Sequence, residues 1–372
     1  MNKNQFNTVN KQHGLTLIEM MVALVLSLII MGGVIQIFIS NKATYRMNEA
    51  MSRVQENGRF ATMFLTQDIR MAGFQGCGIT GNLTNTLQTA CSSTYCGVDD
   101  YSKGIQGFDN VTGSISVDAS ITFTPKSETD VVVVYSSADS GISLEKNNSG
   151  AQVFVTDTGT VSGGCPDGSD KISGLCDGDI LLVSDCSKSR IFQTTGFTLA
   201  SASACGSTSG GDCLNLQHAA SGTPGNNPSS WGGSSAPESE QFGSDASLFK
   251  MATYYYYIAS NSSGSPALFK REGRNTPQEL VEGVENMQIL YGEDTDAGDG
   301  DGVANQYVNA ATVADWNKVV SVRISLLLQT IEDNVASEVI NYNYNFITGN
   351  VPADKRLRRV FTTTIGIRNR IL

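Results

Sequence analysis

Glu19 is the residue whose placement asks most of the chain around it. From Leu15 to Ile39, twenty-five residues carry no other ionisable group. A carboxylate well inside a membrane helix costs about 2.5–3.5 kcal/mol on insertion scales, so an acid in such a run is a functional-site candidate. A second acidic constellation is Glu293-Asp294-Thr295-Asp296-Ala297-Gly298-Asp299-Gly300-Asp301-Gly302. Asp294, Asp296, Asp299 and Asp301 on a Gly-rich loop supply the type of oxygen that calcium takes. An EF-hand loop wants acids at positions one, three and five and glycine at six. Asp294 and Asp296 fit the first two, but Gly298 falls at five and Asp299 at six. A solvated acidic turn is the competing reading. Calcium is the one cofactor the chain suggests, and none is required.

Other chemistry lacks its parts. The two histidines are His13 and His218, which leaves a Ser-His or Cys-His mechanism without support. No phosphate-cradling or dinucleotide glycine pattern is present. Cys77, Cys91, Cys96, Cys165, Cys176, Cys186, Cys205 and Cys213 all follow the apolar run. An even count on an exported side reads as disulfides, whereas zinc would need Cys-x-x-Cys or Cys/His spacings that are missing. Sequence leaves the pairing open; short loops favour Cys91–Cys96, Cys205–Cys213 and, less strongly, Cys176–Cys186. The formal charge is −11. Such a surface repels phosphate backbones, so no nucleic-acid partner is expected.

The elements that must position these residues begin with a leader, residues 1–14, holding Lys3 and Lys11 and no acid. As a helix the run behind it would span roughly 37 Å, enough to cross a ~30 Å hydrocarbon core with some tilt. The basic flank predicts a cytoplasmic N-terminus. A secretory signal would have its cleavage site after the apolar core; here the candidate glycine, Gly14, precedes it. Residues 15–40 read as the membrane half of one helix and 41–75 as an amphipathic half. Met47, Met51, Val54, Gly58, Ala61, Leu65 and Ile69 line its apolar face, and Arg46, Glu49, Arg53, Glu56, Arg59 and Asp68 the wet one. No proline interrupts residues 15–72, and Gly73, Gly76 and Gly78 end the pattern.

Residues 76–372 read as a disulfide-containing, β-rich globular domain. Short apolar runs such as Val131–Tyr135, Ile180–Val183, Thr253–Ile258, Met287–Tyr291 and Val320–Leu326 follow one another without helix-length spacers, which predicts antiparallel sheet. Residues 203–247 form a Gly/Ser-rich excursion, either disulfide-tied or a mobile lobe. Tyr254–Tyr257 would put one ring pair in the core and the other in a surface stripe. The basic cluster from Lys355 to Arg370 reads as the wet face of an edge strand. The fold class is α+β, a long N-terminal helix followed by a predominantly antiparallel β domain.

Gly14-Leu15-Thr16-Leu17-Ile18-Glu19 resembles the type IV prepilin processing motif. The resemblance implies a cut by a membrane prepilin peptidase between Gly14 and Leu15, N-methylation of Leu15, and a Glu19 that answers a neighbouring subunit's N-terminal amine. Where the family usually has Phe, this chain has Leu15. Removing the leader and its two lysines would take the charge to −13. Arg53-Val54-Gln55-Glu56-Asn57-Gly58-Arg59-Phe60, Asp68-Ile69-Arg70-Met71-Ala72-Gly73-Phe74 and Arg359-Val360-Phe361-x-x-Thr364-x-x-Ile367-Arg368-Asn369-Arg370 narrow this to the PilW family of minor pilins. That family implies a pilin-like fold and a place first in the bacterial inner membrane, with the globular domain periplasmic, then in the fibre or its tip. The implied partners are other minor pilins, the major pilin and a large tip adhesin, with roles in priming assembly, adhesion and twitching motility. Two alternatives stand beside it. One is a large pseudopilin of type II secretion; the other is an anchored adhesin binding glycan through Trp231 or the tyrosine run.

Overall fold

The computed structural model describes residues 14, 16–74, 76, 82–88, 101, 103–116, 122–138, 141–205, 212–297, 300–345 and 347–370. One helix, α1 (Leu17–Arg70), runs unbroken through both predicted halves. Its start is fixed by Thr16, whose hydroxyl accepts from the Glu19 amide while the Glu19 side chain accepts from the Thr16 amide, a reciprocal capping box. At its end the Met71 amide donates to the carbonyls of Asp68 and Ile69, and Gly73 takes a φ of +70° that few other residues tolerate.

Only the second half of α1 is packed. Ala50, Val54, Gly58, Ala61, Leu65 and Ile69 are buried, at steps of three and four residues. The expected face holds from Val54 onward. Before it, Met47 is exposed and Met51 half-buried, and the small Ala50 is the contact instead. Among the described residues, Glu332 and Val335 line the shallow cleft beside this part of α1.

The sheet beneath α1 has four strands in the order Gln306–Val308, Val284–Glu293, Val319–Gln329, Arg358–Gly366, all antiparallel. Met287, Ile289, Val322, Ile324, Leu326 and Ile365 point from it toward the helix in one apolar cluster. A larger sheet is built on the long strand Ser247–Ser260, which pairs antiparallel with Thr129–Ser137, Ile180–Ser184 and Pro266–Glu272. Val132, Val134, Tyr256 and Ile258 of this sheet join the cluster under α1, while Val131, Val133, Tyr255 and Tyr257 enter a second cluster on its far face. The tyrosine run is therefore split between faces as expected, but no surface stripe results. Both faces are covered, Tyr255, Tyr256 and Tyr257 are buried, and Tyr254 lies half-buried under Lys270.

The excursion at 203–247 is tied down among its described residues. Cys205 is bonded to Cys213. Trp231, only 2% exposed, stacks on His218 and meets Phe192 and Phe242 edge-on. Trp231, Tyr255, Tyr256 and Tyr257 are core, so the expected glycan platform at Trp231 or along a tyrosine stripe does not form. Cys176 bonds Cys165, so the Cys176–Cys186 pairing is incorrect; Cys186 is disulfide-bonded elsewhere. The strand Ile180–Ser184 separates Cys176 from Cys186. At about 3.3 Å per residue it carries Cys186 far beyond the ~7 Å Cα separation a disulfide can bridge. Cys77, Cys91 and Cys96 lie outside the described residues.

Candidate functional site

The head of α1 holds the candidate processing residues. Gly14 is exposed; Leu15 lies outside the described residues. Two turns of chemistry meet at Thr16: its amide and its hydroxyl both donate to Glu19 Oε2, each at 2.9 Å. The carboxylate in an otherwise apolar run thus has two local donors. This capping role is legible in Thr-x-x-Glu before an apolar stretch, where the same residues also carry the processing motif. Beyond it, seventeen large apolar side chains from Leu17 to Ile39 are each more than half exposed. By length and composition α1 can cross a membrane. Each such side chain gains about 1.5–3 kcal/mol on leaving water, so the stretch has tens of kcal/mol of unmet apolar burial.

The docking half is fastened at three points. Gly58 lies against the ring of Phe361, so closely that a Cβ there would overlap it. Asp68 accepts from Tyr256 Oη and from Lys270 Nζ, both at 2.5 Å, and so is not part of the wet face expected for it. The Asn369 carboxamide donates to the carbonyls of Met71 (3.2 Å) and Ala72 (3.1 Å), and Ser136 Oγ also donates to the Met71 carbonyl (3.1 Å), so the helix end is closed by side chains. Asp68 and Asn369 sit 301 residues apart in sequence and were visible beforehand only as motif letters; their pairing with α1 is long-range.

The basic C-terminal cluster also departs from the wet-edge reading. Arg358 is almost fully buried, bonded to Glu285 Oε2 at 2.6 Å and to Asp354 Oδ1 at 2.7 Å. The hydrogen bonds from Arg358 hold the Asp354 carboxyl below its ordinary range. Arg370 donates to the Lys103 carbonyl at 2.8 Å and to Asn317. Only Arg359 and Arg368 among the arginines of the cluster are exposed.

In the acidic loop, carboxylate oxygens of Asp294, Asp296 and Asp301 lie within 4.8 Å of one another. Asp299 lies outside the described residues. Asp294 is buried and accepts from the amides of Asp296 (3.1 Å) and Gly302 (2.8 Å), which ties the loop into a turn. Glu293 instead points inward, accepting from the Ala314 amide and the Gln306 side chain. The three gathered carboxylates have the hard-oxygen chemistry of a calcium site, and both carboxylate oxygens of Asp294 already accept a backbone amide.

Two further groups are shifted by burial rather than by a reaction partner. Burial lowers the His218 pKa to about 4, holding the imidazole neutral between Phe192 and Trp231. Burial raises the Asp130 pKa to about 7, although its carboxylate accepts from the amides of Asn110 and Ile289.

Compared with known families, residues 255–369 match type IV pilus-assembly protein W, and residues 9–35 match the prokaryotic N-terminal methylation motif. Comparison with curated proteins gave no match, and neither did comparison with solved structures. The first match covers the strands of the sheet under α1 and its C-terminal seal; the second covers the capping box and much of the exposed rod. Together they bear out the resemblance drawn from the sequence: the chain carries a pilin-type methylation motif and a PilW-type domain.

Proposed function

We propose that this chain is a minor pilin of a type IV pilus, held in the bacterial inner membrane by the first half of α1 and later assembled into the fibre through that same half. The observation that carries the reading is the unpartnered apolar rod from Leu17 to Ile39, with one acid at its head and a methylation-motif match over residues 9–35. A prepilin peptidase cuts between Gly14 and Leu15, and Leu15 becomes the N-methylated first residue. Glu19 is then the fifth. In the membrane Thr16 supplies its donors; in the fibre a neighbour's terminal amine does, replacing neutral hydrogen bonds with a charged pair in a dry core. No catalytic role is assigned to the chain itself.

A domain of this size fits better at a tip, where it need not be packed on every side, which favours a tip-proximal place beside other minor pilins, the major pilin and a large tip adhesin. Priming of assembly, attachment and twitching motility are the cellular roles that follow. Calcium at Asp294, Asp296 and Asp301 is a subsidiary proposal; a calcium titration that gives neither heat nor a melting shift would dismiss it. The test of the main reading is Gly14→Arg. It should leave uncut precursor in the membrane and few pili on the cell. Normal piliation with normal mobility on gels would overturn it. Crosslinked partners from a secretion system, in place of pilus subunits, would reassign the chain to a pseudopilin.

A further inference from the structure

We propose that the open groove on the face of the four-stranded sheet turned away from α1 is a binding site for an acidic saccharide, a short run of uronic-acid residues. The groove has a volume of about 610 Å³, in the range of sites that enclose a small organic ligand. Its floor is Leu290, Ser325, Val360 and Thr362, the side chains that alternate with those buried under α1. Its walls are dominated by carboxamides.

Several donors are left unanswered there. Arg323 is exposed, its guanidinium 4.0 Å over the Tyr307 ring, with one hydrogen bond from Nε to Thr364. Among the described residues neither of its terminal nitrogens has an acceptor, and it has no carboxylate partner. The Asn110 carboxamide makes no side-chain hydrogen bond among the described residues. Asn309 and Asn343 engage only their oxygens, with Thr312 and Gly349, so both amino groups are free to donate. The two acids of the groove are already committed: Asp109 to the amides of Ala310 and Ala311, Asp130 to those of Asn110 and Ile289. A ligand rich in acceptors suits these donors. A carboxylate fits the free guanidinium fork, and ring and glycosidic oxygens fit the carboxamides.

The groove floor is carried by Val284–Glu293, Val319–Gln329 and the edge strand Arg358–Gly366, and the Ile289 amide on the first is already taken by Asp130. An extended acidic peptide is the competing occupant, which oligoglutamate tests. The opposite sheet face holds α1. If α1 enters a fibre core, as the proposed function has it, the groove stays turned outward; binding by the isolated chain does not depend on that reading.

The test is calorimetric titration of the full-length chain in detergent micelles with oligomers of galacturonate, of mannuronate and of hyaluronan. A neutral galacto-oligosaccharide and oligoglutamate serve as comparisons. At least one uronate should bind about tenfold or more tighter than the neutral sugar, a difference of roughly 1.4 kcal/mol. Arg323→Gln should abolish that preference, and Asn110→Asp, at a φ of +42° that aspartate also tolerates, should weaken uronate binding by charge repulsion. Both variants should melt within a few degrees of the parent. No binding of any uronate, or binding unaffected by either substitution, overturns the proposal. Oligoglutamate binding equally well and lost in Arg323→Gln would overturn it in favour of an acidic peptide. A failure here leaves piliation in the Gly14 experiment untouched, so the two readings fail separately.

Discussion

The two halves of α1 have the same backbone and opposite surroundings. From Leu17 to Ile39 nothing among the described residues covers the apolar side chains; from Ala50 to Ile69 a stripe of mostly small residues is sealed against sheet. The first half is large and apolar all round, which suits lipid or a bundle of like helices. The second is apolar on one narrow stripe, which suits one fixed neighbour. One helix thus carries an interface completed only by other molecules and an interface completed within the chain. Anchorage belongs to the first and orientation of the domain to the second.

Glycine substitutions should break that symmetry most sharply. Gly58→Leu drives a side chain into the Phe361 ring, and overpacking of this kind costs about 1–3 kcal/mol. The expected outcome is a clearly lower melting temperature of the full-length chain in detergent. Gly33→Leu, at a position with nothing within 4 Å, should leave the melt of the domain unchanged. Equal effects from the two would mean that the docking seam is not the fixed one.

A smaller contrast lies in charge. Asp68→Asn removes a shielded acceptor from Lys270 and Tyr256 and should cost about 1–2 kcal/mol in denaturant unfolding. Arg53→Gln breaks an exposed pair with Glu49, and the effect should stay within about 0.5 kcal/mol. A large loss at Arg53 would show that its half of the helix is held by more than the apolar stripe.

The gentlest effect is in pH. His218 has a folded pKa of about 4 against an ordinary 6.5, so the unfolded chain binds the proton more readily. That contribution to stability is present above 6.5 and lost as pH falls toward 4. Asp130, raised to about 7 from 3.8, has the opposite sign: the folded chain binds its proton more readily, and its contribution declines as pH rises from 3.8 to 7. The two oppose each other over one window, so the parent should show a shallow pH dependence. Asp130→Asn should lose stability more steeply than the parent on acidification, as read from unfolding midpoints between pH 7 and 4.5.

Much of this was legible before the structure, for local reasons. The unbroken helix follows from an apolar period without proline, and Val131–Tyr135, Thr253–Ile258 and Val320–Leu326 are strands because β-branched and aromatic residues cluster there. What escaped depends on distant neighbours. Whether the second face of the tyrosine strand meets water depends on Phe123 and Ile115 arriving from elsewhere. Trp231 looks like a lone ring in a flexible tract until Phe192 and His218 close on it. Arg358 and Asp68 read as surface charges because their partners, Glu285 and Lys270, are far along the chain. Periodicity reports which side of an element is apolar; it does not report what covers the other side.

Mass spectrometry of the mature N-terminus, on protein recovered from piliated cells, tests the fibre account most directly. A first residue of N-methylated Leu15 is the predicted result. A chain that still carries residues 1–14 would contradict it and leave an anchored ectodomain in its place.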